Sequence, residues 1–129
     1  MMADITADEL LALNLRLLDS ILQGDWATYS ELCDESLTAF EPESRGQFVE
    51  GLPFHKFYFD AGLAPSRQQA TMCSPHVRVM NDVAVLSYVR LTQKLDSAGS
   101  PVTMVAAETR VWQRKGGKWK HVHFHRSSM

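Results

Sequence analysis

Three arginines interrupt runs of residues that otherwise suit β-strands. Arg90 stands in LSYVRLTQ, Arg110 in ETRVW and Arg126 at the end of HVHFHR, each close to Val, Tyr, Phe or Trp. Such neighbours place a side chain in or near a core, and a buried cation costs several kcal/mol unless it is paired. The arginines therefore need either fixed carboxylates inside the protein or an anion from outside. Guanidinium forks match carboxylates bidentately, so a small carboxylate or a peptide carboxylate is the ligand chemistry that suits this set. Glu108, two residues from Arg110, is the nearest internal partner. Both conditions are compatible, because an internal acid can hold the site until a ligand displaces it. Three cations against one fixed acid leave an excess of positive charge.

A second group invites a metal reading. His121, His123 and His125 alternate along one run, so their side chains share a strand face about 6.6 Å apart. Two of them can share a metal, but three in line on one strand do not make a tetrahedron, and no Cys or Asp nearby completes one. Surface or subunit-interface packing is the expected role, with no metal and no cofactor.

The elements that position these residues follow from periodicity. Thr6-Ala7-Asp8-Glu9 has the form of a capping box, and Leu10, Leu11, Leu13, Leu17, Leu18, Ile21 and Leu22 form a helical stripe that ends at Gly24. Asp25 can cap a short helix over Trp26 to Cys33. Ser36 to Glu41 reads as a short strand stopped by Pro42. Pro53 suits the first turn of another helix, in which Phe54, Phe57 and Tyr58 recur at helical spacing around His55. Ala61 to Gln69 reads as a loop. Strand runs follow at His76–Met80, Val83–Leu95, Val102–Arg114 and Trp119–Arg126, joined by turns at Asn81-Asp82, Ser97–Ser100 and Lys115–Lys118. Residues 1–129 thus form one α+β domain. A long N-terminal helix packed across a strongly curved antiparallel sheet makes a cone, and its open end holds a pocket.

Parity sorts the faces of the sheet. Leu86, Tyr88 and Arg90 share one face, as do Met104, Ala106, Glu108, Arg110 and Trp112, and as do Val122, Phe124 and Arg126. The Gly116-Gly117 turn decides how the last two sets meet. A two-residue turn pairing Lys115 with Lys118 sends Arg110 and Arg126 to opposite faces. A three-residue loop pairing Arg114 with Lys118 puts them on the same face. Economy favours the second, which also collects Met104, Trp112 and Phe124 on the inner wall and leaves the histidine row outside. Val83, Val85, Val89 and Leu91 point away from that wall, and one long helix covers only one face. A second subunit is the expected cover for the other.

Bulk properties set the limits. The chain has a net charge of −2 and is 45% hydrophobic and 22% charged, so no basic field invites nucleic acid. Cys33 and Cys73 follow neither a metal nor a disulfide pattern. No run approaches the roughly 20 apolar residues of a membrane span, and the acidic N-terminus is not that of a signal peptide. A cytoplasmic protein with reduced thiols is expected.

Four longer motifs are specific enough to carry a resemblance: TAFEPE at 38–43, VEGLPFHKFYF at 49–59, LSYVRLTQ at 86–93 and ETRVWQRKGGKWKHVHFHR at 108–126. Together, from about Ile5 to Ser127, the sequence resembles the association (hub) domain of calcium/calmodulin-dependent protein kinase II. The resemblance implies a cystatin-like cone of the nuclear transport factor 2 type. It implies self-assembly into a two-tiered homo-oligomeric ring of dimers, twelve or more subunits in all, and an arginine-lined pocket in each subunit. By position in the motifs, the ligand-binding residues are Arg90, Arg110, Arg126, His55 (the family's pocket-rim histidine), Tyr88 and Glu108. Leu63 stands where the family has a tryptophan that gates the pocket, and Ala106-Ala107 replaces more polar residues. No kinase or calmodulin-binding segment precedes the helix, so a free-standing scaffold homologue without catalytic residues is expected. Other families with this cone are isomerases and dehydratases. The competing reading is therefore a small enzyme using His55, Tyr88 and Glu108 as an acid–base set, although neighbouring arginines would hold Glu108 ionised and weaken it as a base.

Overall fold

The computed structural model describes residues 2–62 and 67–129, with side chains from Thr6 onward. Leu63, with its place in the predicted loop, lies outside the described residues. Helix α1 spans Met2–Gln23, and α2 spans Trp26–Leu32. Strands β1 (Cys33–Phe40) and β2 (Val49–Glu50) flank a 3-10 turn at Pro42–Ser44. Helix α3 (Pro53–Asp60) leads into β3 (Gln68–Met80), β4 (Val83–Leu95), β5 (Pro101–Lys115) and β6 (Lys118–Ser128). Among the described residues no helix is long and apolar enough to cross a membrane.

The expected meander is present, with β3, β4, β5 and β6 antiparallel in order. The sheet as a whole is mixed, however. Its order is β2-β1-β6-β5-β4-β3, and β1 runs parallel to β6. A parallel partner requires a long connection, which here is everything between β1 and β6. Local pattern carries no trace of such a pairing.

Helix α1 begins a turn earlier than the capping motif predicts. No Pro or Gly precedes Thr6 to stop it, so Thr6 lies inside the helix. The leucine stripe packs on the inner face of the sheet, with Leu10, Leu17 and Leu18 buried. Asn14 sits among them at the same helical spacing and is fully buried. Its Nδ2 donates to Tyr88 Oη at 2.9 Å, and its Oδ1 accepts from Trp112 Nε1 at 3.0 Å. Asp25 caps α2 as expected, accepting from the Thr28 amide at 3.1 Å. In α3 the helical spacing of aromatics does not mark a core face. Phe57 is 68% and Tyr58 40% exposed, while His55 is the buried residue.

The last hairpin corrects the expected register. Gly116 (φ +57°) and Gly117 (φ +81°) form a two-residue turn, and Lys115 pairs with Lys118. Both positive φ values are those of a type I′ turn, which glycine enters without penalty. The three-residue loop is absent, yet Arg110 and Arg126 still share a face. A bulge supplies the missing residue: Trp112 pairs with His121, but Val111 pairs with His123, leaving Val122 extra. Beyond it Arg110 faces Phe124, and Glu108 faces Arg126. The bulge also splits the histidine row. His121 is on the inner face and fully buried, whereas His123 and His125 are on the outer one. A second irregularity, at Ser74-Pro75 in β3 (Ser74 φ +50°), adds to the bending of the sheet.

Asn14 joins helix to sheet through hydrogen bonds to two buried side chains, Tyr88 and Trp112. Replacing Asn14 by Ala is expected to destabilise the fold by about 1–3 kcal/mol, measured as a lower urea midpoint at unchanged slope.

Candidate functional site

Glu108 and Arg110 are two apart on β5, so alternation sets them side by side on the inner face. Both are buried, Arg110 to 1% exposure. The guanidinium grips the carboxylate as a fork, Nε to Oε1 at 3.2 Å and Nη2 to Oε2 at 3.3 Å. Tyr88, opposite Glu108 on β4, donates its hydroxyl to Oε1 at 2.6 Å and accepts from Arg110 Nε at 3.0 Å. Arg90, one turn of the pleat further along β4, brings Nη1 to Oε2 at 3.1 Å. Arg126, across from Glu108 on β6, places Nε 4.0 Å from the same oxygen. All three arginines therefore converge on one carboxylate.

Electrostatics follow from that crowding. Burial alone would raise the Glu108 carboxyl, but the charges of Arg110 and Arg90 and the Tyr88 hydrogen bond hold it below its ordinary range. Burial would likewise lower Arg110, and Glu108 more than offsets it, so its pKa is raised. For Arg90, burial outweighs the pull of Glu108 and the pKa is lowered; an arginine nonetheless stays charged.

His121 is a member of this network that alternation assigned to the wrong face. Its Nε2 lies 3.4 Å from Arg110 Nη1, and its Nδ1 lies 3.5 Å from Cys33 Sγ. Arginine has only donors, so the network assigns the lone pair to Nε2 and the proton to Nδ1, directed at the sulfur. Burial, then the charge of Arg110, lowers the His121 pKa well below its ordinary value, and the ring is neutral. Burial also pushes the Cys33 thiol up to about 12. His123, on the outer face, bonds Thr38 Oγ1 at 2.7 Å. Among the described residues no group of three His, Cys, Asp or Glu side chains is arranged to hold a metal ion.

A cavity of about 320 Å³ opens over the arginines, with Arg90, Arg110, Arg126 and His55 in its wall. Tyr88 and Glu108 do not line it; they stand behind the guanidinium groups and fix them. The acid–base set of His55, Tyr88 and Glu108 is therefore not assembled in one wall. Two acids that sequence reasoning passed over do line it, Glu41 and Glu43, on either side of Pro42. His55 Nε2 meets Glu41 Oε2 at 2.7 Å with both side chains buried. Glu43 pairs with Arg126 Nη2, and that bond holds its carboxyl low against the opposing effect of burial. Pro42 within TAFEPE was the available signal, since it ends β1 and turns both acids toward the pocket mouth. With Glu43 on Arg126 and His55 on Glu41, the positive excess is smaller than one internal acid implies. Two buried nitrogens, His55 Nδ1 and Arg90 Nε, have no hydrogen-bond partner among the described residues.

Comparison with known proteins decides what kind of domain carries this cavity. Residues 6–129 match the calcium/calmodulin dependent protein kinase II association domain. The chain belongs to that family. It is 46% identical over 122 residues to the delta subunit of calcium/calmodulin-dependent protein kinase type II from Oryctolagus cuniculus, covering 92% of this chain and 23% of that protein. The chain thus spans about a quarter of that relative's length, and the kinase domain belongs to the larger protein; the association domain is a non-catalytic module. The hub homology domain from Chlamydomonas reinhardtii superposes with a TM-score of 0.91 at 52% identity, covering 96% of this chain and 98% of that one. A nuclear transport factor 2-like protein from Salmonella enterica, 21% identical, superposes at 0.79 over 98% and 92% of the two chains. That likeness shows the fold, the cone expected for the association domain.

Two buried groups give the association domain a defined response to acid. Glu108 has a folded pKa below its ordinary 4.5, so its contribution is present above pH 4.5 and is lost as pH falls through the lowered value. His121 is neutral in the fold while the unfolded chain binds its proton near pH 6.5, so its contribution is complete above 6.5 and declines below it. Urea unfolding across a pH series is expected to show stability falling from pH 6.5 and more steeply below 4.5. His121→Gln should flatten the upper part of that decline. Glu108→Gln should cost about 3–5 kcal/mol at neutral pH, because it leaves buried arginines uncompensated.

Proposed function

We propose that this association domain is a scaffold module that assembles with itself into a two-tiered ring of dimers, twelve or more subunits in all. Each subunit's arginine-lined cavity takes a carboxylate, free or on an acidic peptide. The observation that carries the pocket is the convergence of Arg90, Arg110 and Arg126 on a cavity of about 320 Å³. Behind them, Tyr88 and Glu108 hold the guanidinium groups in fixed orientations. Preorganised donors spend little conformational entropy on binding an anion. The unpartnered Arg90 Nε and His55 Nδ1 add polar capacity that internal acids do not use.

Assembly is supported by the outer face of the sheet. Val83, Val85, Val89, Leu91, Val105 and Val111 lie half-exposed on neighbouring strands whose inner face is already packed. An apolar sheet face of this extent calls for cover, and α1 is committed to the other side. A second copy supplies it.

Native mass spectrometry at micromolar concentration is expected to give a particle of twelve or more subunits, and a monodisperse monomer would sink the assembly reading. Val85→Glu on the outer face is expected to release smaller particles. For the pocket, Arg126→Gln should weaken hexanoate binding about tenfold or more in calorimetry, the loss of one charge-assisted bond. Unchanged affinity would remove the arginines from the site.

A further inference from the structure

The inner face of the sheet does not end at the arginines. Beyond Arg90, Thr92 and Lys94 follow on the same face of β4, opposite Ala70 and Gln68 on β3. A second cavity, of about 220 Å³, opens over this stretch. It shares Ile21, Arg90 and Arg126 with the first cavity, so the two are chambers on either side of one pair of guanidinium groups.

Charge differs sharply between them. The first chamber is walled by Glu41 and Glu43 as well as by arginines. The polar wall of the second is Arg90, Lys94 and Arg126 with Gln68, Thr92 and Ser128, and among the described residues no carboxylate side chain lines it. Arg90 and Arg126 have acidic partners, Glu108 and Glu43. Lys94 is half-buried, and among the described residues it makes no hydrogen bond or ion pair. Lys94 stands four positions along β4 from Arg90, about 13 Å between Cα atoms at the usual strand rise. The opposite wall on β5 is apolar, with Met104 facing Thr92 and Ala106 facing Arg90.

We propose that the second chamber is an anion subsite, and that the ligand is an extended dicarboxylate. One carboxylate sits at the Arg90–Arg126 divide and the other on Lys94, with the aliphatic chain along the apolar wall between them. This rests on the carboxylate reading of the first cavity and extends it by giving the ligand a second charge. The physical reason is desolvation. A carboxylate at the end of an aliphatic chain resists burial unless a cation without a partner meets it. Lys94 is such a cation, and it is placed where a chain leaving the arginines arrives.

Calorimetry on the assembled protein, in a buffer free of carboxylates, separates the possibilities. Adipate and suberate are compared with hexanoate and octanoate, which match them in chain length and lack the second charge. The diacids are expected to bind about tenfold tighter than their monoacid partners, the worth of one added charge-assisted bond. Lys94→Gln should abolish that advantage and leave the monoacids within about twofold, while Lys94→Arg should keep most of it. Lys94 is half-buried and outside the Glu108 network, so these variants are expected to fold. If monoacids bind and diacids bind no better, the second subsite is overturned while the first cavity keeps its reading. A diacid advantage that survives in Lys94→Gln also overturns it. If neither class binds, both readings fall.

Discussion

Glu108 is a single buried carboxylate on which three strands and one helix depend. It takes the Arg110 fork from its own strand, Tyr88 and Arg90 from β4, and faces Arg126 on β6. Through Tyr88 and Trp112, Asn14 ties α1 into the same network. Replacing such a cluster by apolar residues of equal volume is often neutral or stabilising, so its energetic worth is not net stability. Its effect is to make alternatives costly. A one-residue slip of β4 or β6 against β5 reverses every side chain of the slipped strand, which would leave buried cations and an anion unpaired. The carboxylate thereby specifies register for the central strands and a seat for the helix.

That specification needs the bulge at Val122. A type I′ turn at Gly116-Gly117 matches the twist of the strands, but carried through without interruption it would put Arg126 on the outer face. One extra residue in β6 reconciles a favourable turn with a convergent site. The same residue brings His121 inward, against Arg110. A neutral imidazole accepting from a guanidinium adds no charge to a crowded site and satisfies a donor that Glu108 does not reach. The turn, the bulge and His121 are thus one solution to a single packing problem.

The readable parts of the fold were those where a period ran without interruption. Alternation along β4 and β5 placed Leu86, Tyr88, Arg90, Glu108 and Arg110 correctly, because neither strand contains a bulge over that stretch. The leucine stripe, the Asp25 cap and Pro53 placed three helices. What failed was non-local or irregular. Val122 has none of the Gly or Pro marking that usually announces a bulge, so parity carried His121 to the wrong side. The parallel β1–β6 pair joins segments about two-thirds of the chain apart. Glu41 and Glu43 lie at a 3-10 turn with no periodicity to sort them. Asn14 was legible in principle, since a polar residue at a core position of a leucine stripe must find partners, and only its partners were hidden.

The acids of the site are not equivalent, and their difference bears on how the proposed anion would gain entry. Glu108 is fully buried and bonded by two arginines and a tyrosine, so displacing it would strand several charges at once. Glu41 is buried and tied to His55. Glu43 has a side chain 36% exposed, stands on a three-residue turn, and pairs with Arg126. An incoming carboxylate that takes Arg126 from Glu43 exchanges one charge-assisted pair for another, and the released acid moves into water rather than into a dry interior. The exchange leaves the Glu108 network, and with it the strand register, untouched. A site can therefore be both a structural keystone and open to ligand only if the two tasks fall to different carboxylates. Burial assigns the first to Glu108 and, under the proposed binding, the second to Glu43.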